Sequence, residues 1–159
     1  MPDLDWMTPK TVMARLVRSI SALQERELSR LGIDLTAQQA GIVAYVEVEG
    51  GKGIGEIAAR IGVDQSVATR LVDRLAAKGF LVRMRHPIDG RAVQVVTTEV
   101  GSSAVDVFLP AIEALKLKVF AGIAETDLDV FWKVLTELEN NVSGWITLAA
   151  NEPRGEGDS

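Results

Sequence analysis

The chain of 159 residues contains no cysteine. That excludes disulfides, thiolate nucleophiles, iron–sulfur clusters and cysteine zinc sites together, and with them redox sensing through a thiol. It has a single histidine, His86. A zinc site would therefore need carboxylates for nearly all its ligands. No nucleophile, base and acid can be assembled from one histidine and no cysteine in a familiar arrangement. An enzyme is not expected, nor a metal, nor a cofactor. No apolar run approaches the roughly 20 residues of a membrane span. The opening "MPDLDWMTPK" is acidic and lacks an apolar signal core, so no secretion signal is expected and a cytoplasmic location follows by default. "GGKGIGE" lacks the spacing of a phosphate loop, because Lys52 is followed by Gly53 and not by Ser or Thr. It reads as a turn and short strand.

Positive charge is also scarce. The formal net charge is −5, which argues against a uniformly basic nucleic-acid binder. The distribution says more than the sum. Between Arg60 and Arg91 there are seven basic and three acidic residues, a local charge of +4 that leaves −9 for the rest. One sub-region is electropositive inside an acidic protein.

What is present is mostly helical punctuation. Thr8-Pro9 opens a helix, with Thr8 as N-cap and Pro9 at the first position. Val12, Leu16, Ile20 and Leu23 recur at helical spacing, and Gly32 is the stop. Thr36 with Gln39 is a capping box that opens a second helix running to Gly50. The short helix "IGEIAARIG" ends on Gly62. Asp64 then caps "QSVATRLVDRLAAKG", whose buried face is expected from Val67, Leu71, Val72 and Leu75. A short and a longer helix joined by Gly62-Val63-Asp64 is the pattern of a helix-turn-helix.

"FLVRMR" alternates apolar and basic residues like a half-exposed strand, and "AVQVVTT" returns after Asp89-Gly90. A hairpin directly after a helix-turn-helix is a wing. Beyond it a helix carries Val105, Phe108, Ile112, Leu115 and Val119, with Pro110 expected to kink it. Thr126 with Asp129 reads as a further capping box. The last helix carries Leu128, Phe131, Trp132, Leu135, Leu138, Val142 and Trp145. "NEPRGEGDS" has no core residues and reads as a disordered tail.

The longer helix of the pair gathers Gln65, Ser66, Thr69, Arg70, Asp73 and Arg74 on its polar side. Hydroxyls, a primary amide and guanidinium groups near a helix N-terminus suit phosphate oxygens and base edges of a major groove. On a lone helix the same residues would read as an ordinary solvated face. The preceding helix, the turn and the wing tip the reading toward DNA. Arg83 and Arg85 are expected to alternate out of the strand toward phosphates, or else to be plain exposed charges.

The stretch "IAARIGVDQSVATRLVDRLAAKGFLVRMRHPIDGRAVQVVTTEVG" resembles the MarR family of bacterial transcription regulators. It has a recognition helix ending in Lys78-Gly79, a wing tip Asp89-Gly90-Arg91 and a close Thr98-Glu99-Val100-Gly101. The likeness extends over nearly the whole chain. It implies a mostly α winged helix-turn-helix with a small β-wing and a dimerisation domain of terminal helices. The expected organisation is residues 1–34 as the N-terminal dimerisation helix and 35–98 as the DNA-binding domain. Residues 99–150 are the C-terminal dimerisation helices and 151–159 the tail. The resemblance further implies a homodimer on a near-palindromic double-stranded operator, acting as a repressor and released by a small aromatic or anionic ligand. The DNA-contacting set is then Gln65, Ser66, Thr69, Arg70, Arg74, Arg83, Arg85, Asp89 and Arg91. Arg91 would enter a minor groove from the wing tip. Asp89 would orient Arg91, or is simply a favoured turn residue. Trp6, Arg15, Arg18 and Tyr45 are the expected ligand-facing residues. Arg15 and Arg18 could equally pair with Glu25 or Glu137, and the tryptophans could equally fill core. A winged helix used as a protein-interaction module is the alternative reading, against which the arginine-rich wing argues.

Overall fold

The computed structural model describes residues 8–85 and 93–151, with side chains as far as residue 143. His86, Asp89, Arg91, Trp6 and the expected tail beyond Asn151 lie outside the described residues, as does the side chain of Trp145. The chain divides into two compact units, one ending at Leu117 and one beginning at Lys118.

In the first unit α1 spans Pro9–Arg30, α2 Ala37–Glu49, α3 Ile54–Ile61 and α4 Gln65–Ala77. Strands β1 (Leu81–Arg85) and β2 (Val93–Thr97) follow, and then α5 (Glu99–Val119), whose last residues enter the second unit. The helix starts follow local chemistry. Thr8 Oγ1 accepts from the Thr11 amide at 3.3 Å, with Pro9 next to it. Thr36 and Gln39 cap each other reciprocally, at 3.2 and 3.1 Å, which satisfies a buried glutamine and the orphan amides of α2. Glu56 accepts from the Gly53 amide at 2.8 Å and opens α3. Gly62, in the left-handed region at φ +66°, closes it where a side chain would be strained. Asp64 stands at the N-cap of α4 by position, without a side-chain cap bond.

β1 and β2 pair antiparallel, with Leu81 opposite Thr97 and Arg85 opposite Val93. Lys52 adds a single bridge to Val95, through bonds of 2.9 and 2.8 Å. This one-residue bridge stands where a short strand is expected after α2. The strand begins at Leu81 and not at Phe80, because the Phe80 amide turns back to the Leu75 carbonyl and finishes α4.

The core of the first unit is built from α2 (Ile42, Val43, Val46), α3 (Ile57), α4 (Ala68, Val72, Leu75), the sheet (Leu81, Val95) and α5 (Val105, Phe108). Burying each large side chain contributes about 1.5–3 kcal/mol. The buried face of α4 differs from expectation. Ala68 is fully buried, whereas Val67 and Leu71 are only half-buried. A small residue at position 68 lets α4 approach its neighbours, and the flanking branched residues sit at the edge of the contact.

α1 buries only Leu28. Val12, Met13, Leu16, Val17 and Leu23 are 39–62% exposed. α5 continues through Pro110 as one helix.

The second unit contains α6 (Glu125–Asn151). The helix starts two residues earlier than Thr126 allows as a cap. The Ala124 carbonyl accepts from Leu128 at 3.1 Å, so Thr126 lies within the first turn. Glu125 and Asp127 supply acidic charge there, where the helix dipole favours it. Trp132 meets Phe120 at 5.8 Å and Phe131 at 5.3 Å between ring centroids. Val130, Trp132, Val134, Leu138 and Val142 are 46–61% exposed.

Candidate nucleic-acid interface

The side of α4 turned away from its core residues carries Gln65, Ser66, Arg70, Asp73 and Arg74, all exposed. This is the expected polar set apart from Thr69. Thr69 is half-buried, and its hydroxyl donates to the Gln65 carbonyl of its own helix at 2.8 Å. Its proton is therefore committed, and what it can offer outward is a lone pair and a methyl group. Gln65 lies against α3, where a Cβ at Gly55 would stand 3.0 Å from its amide nitrogen. The glycine keeps the first helix of the pair close to the second.

Two anchors fix α4. At its C-terminal end Lys78 Nζ reaches the Asp34 carbonyl oxygen at 2.7 Å and its carboxylate at 2.9 Å, tying α4 to the segment between α1 and α2. Toward the wing, Arg83 Nη2 donates to Asp73 Oδ1 at 2.8 Å.

That second contact corrects the expected direction of Arg83. In an antiparallel pair, opposed residues share a face. Arg83 is opposite Val95, so it lies on the same face as Leu81 and Val95, which are 2% and 0% exposed. Its stem runs over that covered face and its head meets α4. Arg85 shares the face further out and is exposed. The other face carries Val82 and Met84, which are exposed although apolar. From Val82 onward apolar and basic residues do alternate, but it is the apolar Val82 and Met84 that lie off the covered face. The packing of Leu81 and Val95 against the helices decides this, and no pattern within β1 alone reveals it.

The junction of the wing with α5 contains a group that the sequence reading missed. Glu47 on α2 accepts hydrogen bonds from Thr97 Oγ1 and Ser102 Oγ. Those two donors hold its carboxyl below the ordinary carboxylate range. The available signal was an acidic residue within the apolar run of α2 and a hydroxyl-rich stretch at Thr97, Thr98 and Ser102. Thr98 itself donates to the Gly79 carbonyl and accepts from the Gly101 amide at 3.0 Å. The end of α4 and the start of α5 are thereby stitched together.

Three of the expected ligand-facing residues, Arg15, Arg18 and Tyr45, are described. Arg15 and Arg18 are exposed on α1. Tyr45 lines a shallow cavity with Val48, Glu49 and Arg60. The Arg60 guanidinium and Lys52 Nζ lie 5.6 and 5.7 Å from its ring centroid, within cation–π range. A separate apolar cavity of about 150 Å³ lies between α1, α2 and α5. It is lined by residues that include Gln24, Leu28, Ala40, Ala44, Phe108 and Ile112. Of the expected residues that are described, Arg15, Arg18 and Tyr45 are not among its lining residues. No group of metal-ligating side chains occurs among the described residues, and no described helix is long and apolar enough to cross a membrane.

Residues 35–93 match the MarR family model. The chain is 28% identical over 119 residues to the uncharacterized HTH-type transcriptional regulator YkoM of Bacillus subtilis, covering 74% of this chain and 75% of that one. It is 31% identical over 88 residues to the HTH-type transcriptional repressor YetL of the same organism, covering 55% and 53%. Its fold is similar to that in the S. aureus MepR–DNA complex, at a TM-score of 0.77 and 14% identity, covering 89% of this chain and 99% of that one.

Proposed function

We propose that this chain, whose residues 35–93 match the MarR family model, is a transcription regulator of that family and acts as a homodimeric repressor on a near-palindromic operator. The observation that carries the reading is the exposed polar face of α4. Gln65, Ser66, Arg70 and Arg74 stand open on a helix anchored at its far end by Lys78. The surrounding segment is electropositive in a chain of net charge −5. In this reading α4 enters the major groove, with Ser66, Thr69 and Arg70 at base edges or phosphates and Gln65 and Arg74 behind them. Arg85 approaches phosphate, and Arg91 the minor groove. Two such units would contact half-sites about one helical turn apart.

The homodimer is supported by apolar side chains that this chain leaves uncovered. These are Val12, Met13, Leu16 and Val17 on α1, and Val130, Trp132, Leu138 and Val142 on α6. Their burial between subunits would make an obligate interface of at least about 2,000 Å² in total. A small ligand could act through the apolar cavity bordered by α1, α2 and α5. Occupying it would shift the population of spacings between the two recognition helices. YetL, named a repressor, supports the sign of regulation.

The test is footprinting on the DNA upstream of the chain's own gene, with and without small aromatic acids. A protected site with two-fold symmetry is expected. Uniform, sequence-independent binding that disappears with moderate salt would instead favour a protein-interaction module.

A further inference from the structure

Asp73 is the single acidic residue of α4. It lies one turn beyond Thr69 and Arg70 on the helix surface. A bare carboxylate there would repel a phosphate backbone. It is not bare, because Arg83 Nη2 sits 2.8 Å from its Oδ1. The arginine comes from the covered face of β1, opposite the fully buried Val95. Its side chain is 35% exposed and that of Asp73 59% exposed. Exposed pairs of this kind contribute only about 0–1 kcal/mol to stability. The consequence of the pair is therefore geometric.

A five-residue strand such as β1, rising about 3.3 Å per residue, carries its far end about 13 Å from its start. A rotation of roughly 10° at the α4–β1 junction would displace that end by about 2 Å, close to the difference between a hydrogen bond made and lost. The backbone link across the junction is short, with Phe80 N bonded to Leu75 O at 3.0 Å. The Asp73–Arg83 pair is a second point of attachment, two residues before Leu75 on α4 and three residues beyond Phe80 toward the wing.

We propose that Asp73 and Arg83 form a strut that sets the angle of the wing to α4, and that Arg83 is thereby engaged within the protein and does not ligate phosphate. Arg83 is then a positioning residue. The second half of this statement rests on α4 and the wing being the DNA-binding surface. The first half does not.

The experiment uses the full chain as wild type, Asp73→Asn, Arg83→Gln and the swapped pair D73R/R83D. Amide hydrogen exchange on the free protein reads the strut without DNA. Both single variants should exchange faster at the β1 and β2 amides, and the swap should restore protection. Unchanged exchange in the single variants overturns the strut, whatever the protein does with DNA. Salt titration on a duplex of about 30 base pairs carrying the footprinted site reads the arginine. Arg83→Gln should weaken binding about tenfold with an unchanged dependence on log salt, since no phosphate contact is lost. Asp73→Asn should also weaken it, although a negative charge is removed. A salt slope reduced by about one counterion per subunit in Arg83→Gln makes Arg83 a phosphate ligand and overturns the proposal. So does tighter binding by Asp73→Asn. If Arg83→Gln fails to fold, Arg83→Lys takes its place. It keeps the charge but loses the planar fork, and should show partial loss of wing protection. If no duplex binds any variant, the reading of α4 as a DNA helix falls, while the exchange data still decide the strut.

Discussion

Gly101 packs so closely on Phe80 that a Cβ at position 101 would stand 2.2 Å from the Phe80 carbonyl oxygen. The obstacle is backbone, which cannot rotate aside. The same carbonyl accepts the Thr98 amide at 3.1 Å, so moving it would break the junction of β2 and α5. Gly101→Ala should destabilise the protein by about 1–3 kcal/mol or more. Gly41 on α2 is the contrast, with nothing within 4 Å of an added Cβ. Gly41→Ala should be neutral or stabilising by up to about 1 kcal/mol through helix propensity. Thermal unfolding of both at one protein concentration checks the pair. Equal effects would remove the close approach as the reason for glycine at 101.

Glu47 should make stability depend on acid. Its two hydroxyl donors lower its carboxyl pKa in the folded chain. A group with a depressed folded pKa contributes stability that is present above its unfolded value and lost as pH falls through the folded value. Wild type should therefore lose more stability than Glu47→Gln on going from about pH 5 to pH 3. Urea midpoints across that range measure it. Parallel curves for the two proteins would contradict the assignment.

Val17 is 62% exposed on α1, so an aspartate there should be harmless to an isolated subunit. In the proposed dimer it would place a charge in an apolar interface. Val17→Asp should shift sedimentation from dimer toward monomer while leaving helicity intact, and should weaken operator binding. A Val17→Asp dimer as tight as wild type would move the interface away from this face of α1.

Arg70 stands exposed near the middle of α4. If it reaches a base edge, Arg70→Ala should cost about 1–3 kcal/mol at the operator and relax specificity there. If it reaches phosphate alone, the loss should be equal on operator and random DNA. Binding to both at one salt concentration separates these outcomes, and an unchanged affinity for both would take Arg70 out of the interface.

For the wing tip the sign of one change is decisive. Arg91→Ala should weaken operator binding and lower the salt slope by about one counterion per subunit. Asp89→Ala should show part of the same loss, although it deletes a negative charge near phosphate. Tighter binding by a folded Asp89→Ala would leave that aspartate as a turn residue.

The helices were legible because their limits are set by local chemistry. Thr8-Pro9, the Thr36–Gln39 box and Gly62 act within a few residues of themselves, and the chain obeys them. The winged helix-turn-helix was legible for the same reason, as a fixed order of such limits. Apart from one local signal at the start of α6, what the sequence alone missed depends on contacts between separate elements. Thr126 looked like a cap, yet Ala124 accepts the first helical bond. Arg83 looked like an outward charge until the pairing of β1 with β2 put it on the face of Val95 and within reach of Asp73. Glu47 meets partners fifty and fifty-five positions away. Local hydrogen bonds and backbone preferences are encoded where they act, so a sequence displays them. Which side of a strand is covered, and which carboxylate meets which hydroxyl, depends on packing between segments, and only the tertiary structure decides that.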